Sequence, residues 1–223
     1  MSFDTKVQVS TSNFEVDSHD QFCQKQQKQV RMADSARVSL TILALLCGLT
    51  TLGTSGHTLT VYNATHLASD FNLPLWPEHF DLRPSITLVV GSAIVVLTNM
   101  VSLLFSKVQM LRDRTLIHTS LTFVAPFVGF AAVMTSMIFF YAVNASTTVD
   151  TLQGWSCRWD YAGMSTKPYF GTLCKESQTA LYLSVSLVPL ELIVLTIAAY
   201  QMVLERKASA LIPSRKTSSP ALS

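Results

Sequence analysis

Residues 177–204 read SQTALYLSVSLVPLELIVLTIAAYQMVL, and Glu191 is the one charged side chain among them. An apolar run of 18 or more residues is long enough to cross the ~30 Å hydrocarbon core of a bilayer, and a backbone in that medium must satisfy its own hydrogen bonds, which makes it a helix. Three further runs have the same character, since no Asp, Glu, Lys or Arg occurs at 38–69, 84–106 or 115–149. The four runs predict helices over 38–61, 85–106, 116–142 and 179–203.

Composition agrees. The 223 residues are 49% hydrophobic and 13% charged, with mean hydropathy +0.35, whereas soluble domains are about 25% charged. A helix in a soluble core keeps a polar stripe toward water at the 3.6-residue period, and these runs show none. A transmembrane β-barrel is built from alternating segments of about ten residues, which these continuous runs exclude. The predicted architecture is all-α, a membrane-embedded four-helix bundle with disordered cytosolic tails. Residues 1–34 form a polar, Gln-rich N-tail and 35–205 the transmembrane domain, with exterior loops at 62–83 and 144–176. Residues 206–223 form a C-tail with Ser and Thr around Arg215 and Lys216, a composition that invites phosphorylation.

Orientation follows from the basic residues, which are retained on the cytosolic side when they flank membrane segments. The tails and the 2–3 connection hold Lys6, Lys25, Lys28, Arg31, Arg37, Lys107, Arg112, Arg114, Arg206, Lys207, Arg215 and Lys216. The opposite side holds Arg83, Arg158, Lys167 and Lys175. Both termini are therefore expected in the cytosol of a plasma-membrane or secretory-pathway protein. Helix one is expected as a retained anchor, because no short cleavable leader precedes it. Two N-x-S/T acceptors, at Asn63 and Asn144, fall on the exterior side, each beside a helix end.

Cys157 and Cys174 share the exterior 3–4 loop, an oxidising space in this topology, and are expected to form a disulfide. On the chain-entropy model such a closure stabilises by about 3 kcal/mol. Two free thiols are the competing reading; a zinc site is weaker, as that loop has no His.

Glu191 lies near the midpoint of helix four, where an ionised carboxylate costs at least ~2.5 kcal/mol, so it must face protein or water. Counted from the helix ends, Thr50 and Thr51 of helix one and Asn99 of helix two lie at similar depth, and Pro189 frees a backbone carbonyl one turn upstream. Two readings stay open. One is a proton or cation relay; the other is an interhelical hydrogen bond that fixes packing, worth about 0.6 kcal/mol. Small-residue pairs, Ala44-x-x-x-Gly48 and Ala125-x-x-x-Gly129, mark close helix approach either within the chain or between copies.

No phosphate-binding Gly loop, H-E-x-x-H, G-x-S-x-G or C-x-x-C occurs. His57, His66 and His79 share the exterior half without a common face. No enzyme, cofactor or metal is expected, and nucleic acid is not an expected partner, since topology accounts for the basic residues. The expected partners are the lipid bilayer and copies or other proteins within it.

Four helices, two exterior loops and a short 2–3 turn look like the plan of the MARVEL, claudin and tetraspanin groups. The first loop lacks the claudin Cys pair, and the second lacks the tetraspanin Cys-Cys-Gly, which leaves MARVEL-like. More closely, Leu75-Trp-Pro-Glu-His-Phe-Asp-Leu-Arg-Pro84, Asp150-Thr-Leu-Gln-Gly-Trp-Ser-Cys-Arg-Trp159 and Phe170-Gly-Thr-Leu-Cys-Lys-Glu-Ser177 resemble an uncharacterised group of four-span membrane proteins of filamentous fungi. The resemblance covers about 35–205 and implies the topology and the Cys pair, but no catalytic residues. MARVEL-type proteins are associated with vesicle traffic and membrane apposition, so the expected role is a non-enzymatic organiser of membrane or partner proteins. The alternatives are a small ion or proton channel or transporter subunit using Glu191 and, third, a membrane-embedded enzyme.

Overall fold

In the computed structural model the described residues are 8–66, 76–77, 80–107, 115–145, 150–161 and 168–211. In chain order they form α1 (Gln8–Thr65), β1 (Phe80–Asp81), α2 (Arg83–Lys107), α3 (Thr115–Ala145), β2 (Asp150–Thr151), α4 (Leu152–Arg158) and α5 (Phe170–Leu211). Within the four long helices lie segments long and apolar enough to cross a membrane: Lys28–Thr65, Arg83–Ser106, Phe123–Ala145 and Phe170–Leu204. In packing, α1 lies against α2 and α5, and α3 against the same two, so α2 and α5 face each other across a diagonal of the bundle.

The buried positions explain why these helices bundle. In α1 they are Arg37, Thr41, Ala44, Gly48, Thr51, Ser55, Thr58 and Tyr62. In α5 the seam runs Leu173, Ser177, Ala180, Ser184, Leu187, Glu191, Val194, Ala198 and Gln201, with Phe170 and Cys174 also buried at its cap end. Both sets step alternately by three and four, the 3.5-residue repeat that keeps one seam of a helix on its partner. Most are small, which allows close backbone approach. Their hydroxyls return to their own helix: Thr41 donates to the Arg37 carbonyl at 2.8 Å, Thr51 to that of Cys47 at 2.9 Å and Thr58 to that of Ser55 at 2.8 Å. The outer faces carry the large apolar side chains, Ile42, Leu46, Leu97, Phe127, Ile138 and Leu192 among them. This reverses the soluble pattern.

The α2–α3 seam is tightest at Gly91. A Cβ there would stand 2.9 Å from Ser136 Cβ and 3.3 Å from the Ala132 carbonyl, closer than packed atoms tolerate. Ser136 donates to the Thr87 carbonyl across the seam at 2.9 Å and to Ala132 at 2.9 Å, and an added methyl displaces that hydroxyl. With each hydrogen bond worth about 1 kcal/mol, Gly91→Ala is expected to destabilise the bundle by about 1–2 kcal/mol. Thermal melting in detergent checks this, and Gly56→Ala, where an added Cβ meets nothing within 4 Å, is the control.

At one end the helices carry a folded cap. Tyr62, Trp76, Leu152, Phe170 and Leu173 form its core, with Val61, Phe80, Leu82 and Trp155 packed on it. Tyr62 stacks on Phe80 with centroids 5.0 Å apart, and Trp76 meets Tyr62, Phe80 and Phe170 edge-on. Trp76 Nε1 donates to Thr65 Oγ1 at 3.1 Å, closing the segment after α1 onto the helix end. The strands pair in parallel, Phe80 with Asp150 and Asp81 with Thr151, tying the two connections together. The Thr151 side chain accepts from Gly154 N at 3.2 Å, which caps α4.

Three expectations change. Residues 8–34, expected as a disordered tail, continue α1; no Gly or Pro precedes Gly48, so nothing in the chain breaks the helix that the apolar run propagates. The 62–83 connection begins only after Thr65, and the 144–176 connection contains β2, α4 and the first turns of α5. Helix α5 extends to Leu211, past the expected end at 203, and 1–7 and 212–223 lie outside the described residues. Pro126 and Pro189 sit inside α3 and α5.

Candidate functional site

Glu191 is fully buried. The α5 seam turns it inward, and Asn99 on α2, also buried, donates from Nδ2 to Glu191 Oε1 at 2.8 Å. This bond crosses the diagonal between two helices that otherwise barely touch. Gly129 of α3 makes the space: a Cβ there would lie 3.3 Å from Glu191 Oε2, 3.4 Å from Glu191 Cδ and 3.2 Å from Thr98 Oγ1. Glu191 Oε2 has no hydrogen-bond partner among the described residues. The Thr98 hydroxyl donates to the carbonyls of Ile94 and Val95 at 2.9 and 3.1 Å and not to the carboxyl. Chemically the group is a side-chain bridge joining α2 to α5 over a glycine of α3.

Of the partners named from sequence, Asn99 is brought to Glu191 and the two threonines are not. Thr50 is exposed and donates to the Leu46 carbonyl at 2.9 Å, while Thr51 is buried but bonded to Cys47. The reason is register. His57 Nδ1 of α1 lies 2.8 Å from Glu176 Oε2 of α5, which puts these two residues at one height. Glu191 is fifteen residues further along α5, about 22 Å at 1.5 Å per residue, so on antiparallel α1 it is level with Ile42, not with Thr50. The charge-free run of helix one does not mark membrane depth, because its last residues belong to the cap. Gly129 was visible in the sequence as half of a small-residue pair; nothing local joined it to Glu191. Both small-residue pairs make contacts within the chain, Gly48 against Val95 and Val96 of α2 and Gly129 against α2 and α5.

In the cap the expected disulfide is present: Cys157 of α4 is bonded to Cys174 of α5, with Cα atoms 4.8 Å apart. Cys47 is a free thiol in α1; the side chain of Cys23 lies outside the described set. Asn63 is exposed in the last turn of α1. Asn144 is engaged at both ends, Oδ1 accepting from Thr151 Oγ1 at 2.6 Å and Nδ2 donating to Gln153 Oε1 at 3.3 Å. Its amide nitrogen, the atom a glycan would occupy, thus ties α3 to α4. His66 lies against the Tyr62 ring, and His79 is outside the described residues. Among the described residues no cluster of His, Cys, Asp and Glu could hold a metal ion. A groove of about 480 Å³ between α2 and α3, lined by Ile86, Val90, Ile94, Phe127, Ala131 and Phe139, does not reach Glu191.

These features define an all-helical protein with four helices long and apolar enough to cross a membrane, one bridged carboxyl at their centre and a disulfide-stapled cap. The chain belongs to the family described as a domain of unknown function, DUF8762, whose model matches residues 2–216. No curated protein and no solved structure matches it.

Proposed function

We propose that the protein is a four-span integral membrane protein of non-enzymatic, organising function, MARVEL-like in plan, with both termini in the cytosol of the plasma membrane or secretory pathway. It holds a rigid cap on the exterior side and extended helix ends on the cytosolic side for partner proteins to engage. The observation that carries this reading is the burial of Glu191: with zero exposure, Asn99 on one oxygen and Gly129 over the other, the carboxyl joins helices. The polar side chains beside the carboxyl among the described residues, Asn99 and Thr98, do not titrate.

Dimensions support membrane insertion. From Arg37 to His57 is twenty residues, about 30 Å of helix, the thickness of a hydrocarbon core. At the lower limit Arg37 is paired with Asp34 at 3.2 Å, and at the upper His57 is paired with Glu176. Proximity labelling from each terminus, in cells of the source organism, tests the organising role. Reproducible membrane-protein neighbours that change when the cap cysteines are replaced are expected. A neighbour set no different from that of an unrelated four-span protein sinks the scaffold, and ion flux through purified protein in liposomes that is lost in Glu191→Gln would replace it with the channel reading.

A further inference from the structure

We infer that the segment from Trp155 to Tyr161 is a membrane-surface anchor that lies in the zwitterionic headgroup layer on the cap side and binds it through Trp159, Tyr161 and Arg158. This rests on the proposed insertion in a bilayer, and it uses a height scale that the structure supplies. Glu176, paired with His57, marks the edge of the apolar segment; no further charge follows on α5 until Glu191. Cys157 is bonded to Cys174 and accepts from Gln178 Nε2 at 3.9 Å, so it sits between those two residues, within a turn of Glu176. Asp160 Oδ1 stands 2.6 Å from where a Cβ on Gly171 would be, five residues or about 7.5 Å above Glu176. Trp159 lies between these levels. A headgroup layer adds about 5–8 Å to each side of the core, so the segment spans that layer and not the water beyond it.

Its chemistry fits the layer. Trp155 and Trp159 pack with centroids 5.7 Å apart, and Tyr161 stacks on Trp159 at 6.1 Å. Trp155 is anchored in the cap core, while Tyr161, 82% exposed, and Trp159 turn outward. Rings with one apolar body and one polar edge favour the membrane–water boundary. Arg158 lies 5.9 Å over the Trp155 ring and bonds Asp150 at 3.1 Å, yet its side chain remains 61% exposed. A guanidinium carries five N–H donors, so several remain for phosphate oxygens. Among the described residues the charged groups around the segment are Arg158, Lys175, Asp150, Asp160 and Glu176, with His57 behind; Asp150 is taken by Arg158 and Asp160 is turned to the start of α5. This near balance suits zwitterionic rather than anionic lipid.

The full-length protein reconstituted in phosphatidylcholine vesicles provides the test. Tryptophan emission is read with lipids brominated near the headgroup, with lipids brominated near the chain ends and with aqueous iodide, for wild type and Trp159→Phe. The expected result is that Trp159→Phe removes a component quenched by shallow bromine, little by deep bromine and little by iodide. A Trp159 component quenched by iodide and untouched by either bromolipid overturns the inference, leaving the aromatic face for an aqueous partner. Protein that does not co-float with the vesicles overturns both the inference and the membrane reading, which separates the two failures. Should Trp159→Phe lower the melting temperature, Tyr161→Trp places a reporter at the most exposed position, with the same two outcomes.

Discussion

Replacing Cys157 and Cys174 together by serine is expected to destabilise the cap by about 3 kcal/mol, the loop-closure value for a bridge of this span. The effect should be local. The disulfide joins α4 to the second turn of α5, and everything else holding α4 is modest: its Thr151 cap, the Asn144 contacts, and Leu152 with Trp155 in the aromatic core. The bundle seams below do not involve it. The expected outcome is an early melting transition in detergent and faster proteolysis near α4, with the helical circular dichroism of the long helices retained. Wild-type protein under reducing agent should reproduce the variant. If melting and cleavage are the same in oxidised, reduced and serine forms, packing alone holds the cap and the bridge is incidental.

The long helices and this bridge were legible from sequence for the same reason. A charge-free run states its medium without reference to any neighbour, and two cysteines in one connection have few alternatives. The cap was not legible. Its core joins Tyr62, Trp76, Leu152 and Phe170 from four separate segments, with Phe80 packed on it, and a two-residue strand pair such as Phe80–Asp81 with Asp150–Thr151 leaves no periodic trace. The seams are written in the sequence as small residues. Thr41, Ala44, Gly48, Thr51, Ser55 and Thr58 step by three and four through helix one, yet a search for polar stripes toward water passes over small residues that turn inward. Without the seam, depth had to be counted from charge, and the charge-free end of helix one, which runs into the cap, shifted that count toward Thr50 and Thr51. Asn99 was found because α2 ends close to both of its flanking charges, Arg83 and Lys107.

Asn99→Leu is expected to be more damaging than any change at Glu191 that keeps its shape. Leucine removes the one donor to Glu191 among the described residues and leaves both oxygens of a fully buried carboxyl without partners there. Stranding a buried polar group costs about 1–3 kcal/mol, and the upper end applies here because Glu191 has no exposure to solvent. Glu191→Gln retains the volume and an oxygen able to accept from Asn99, so it should stay within about 0.6 kcal/mol of wild type, the typical worth of a hydrogen bond between membrane helices. The double change Asn99→Leu with Glu191→Leu removes both polar groups and should recover most of the loss. Melting of the four proteins in detergent measures the coupling directly. A strongly negative coupling, with the double variant near wild type, identifies a structural bridge across the α2–α5 diagonal. Additive losses would mean that Asn99 and Glu191 act on separate partners, and the bridge would then have to be abandoned as the element that joins these two helices.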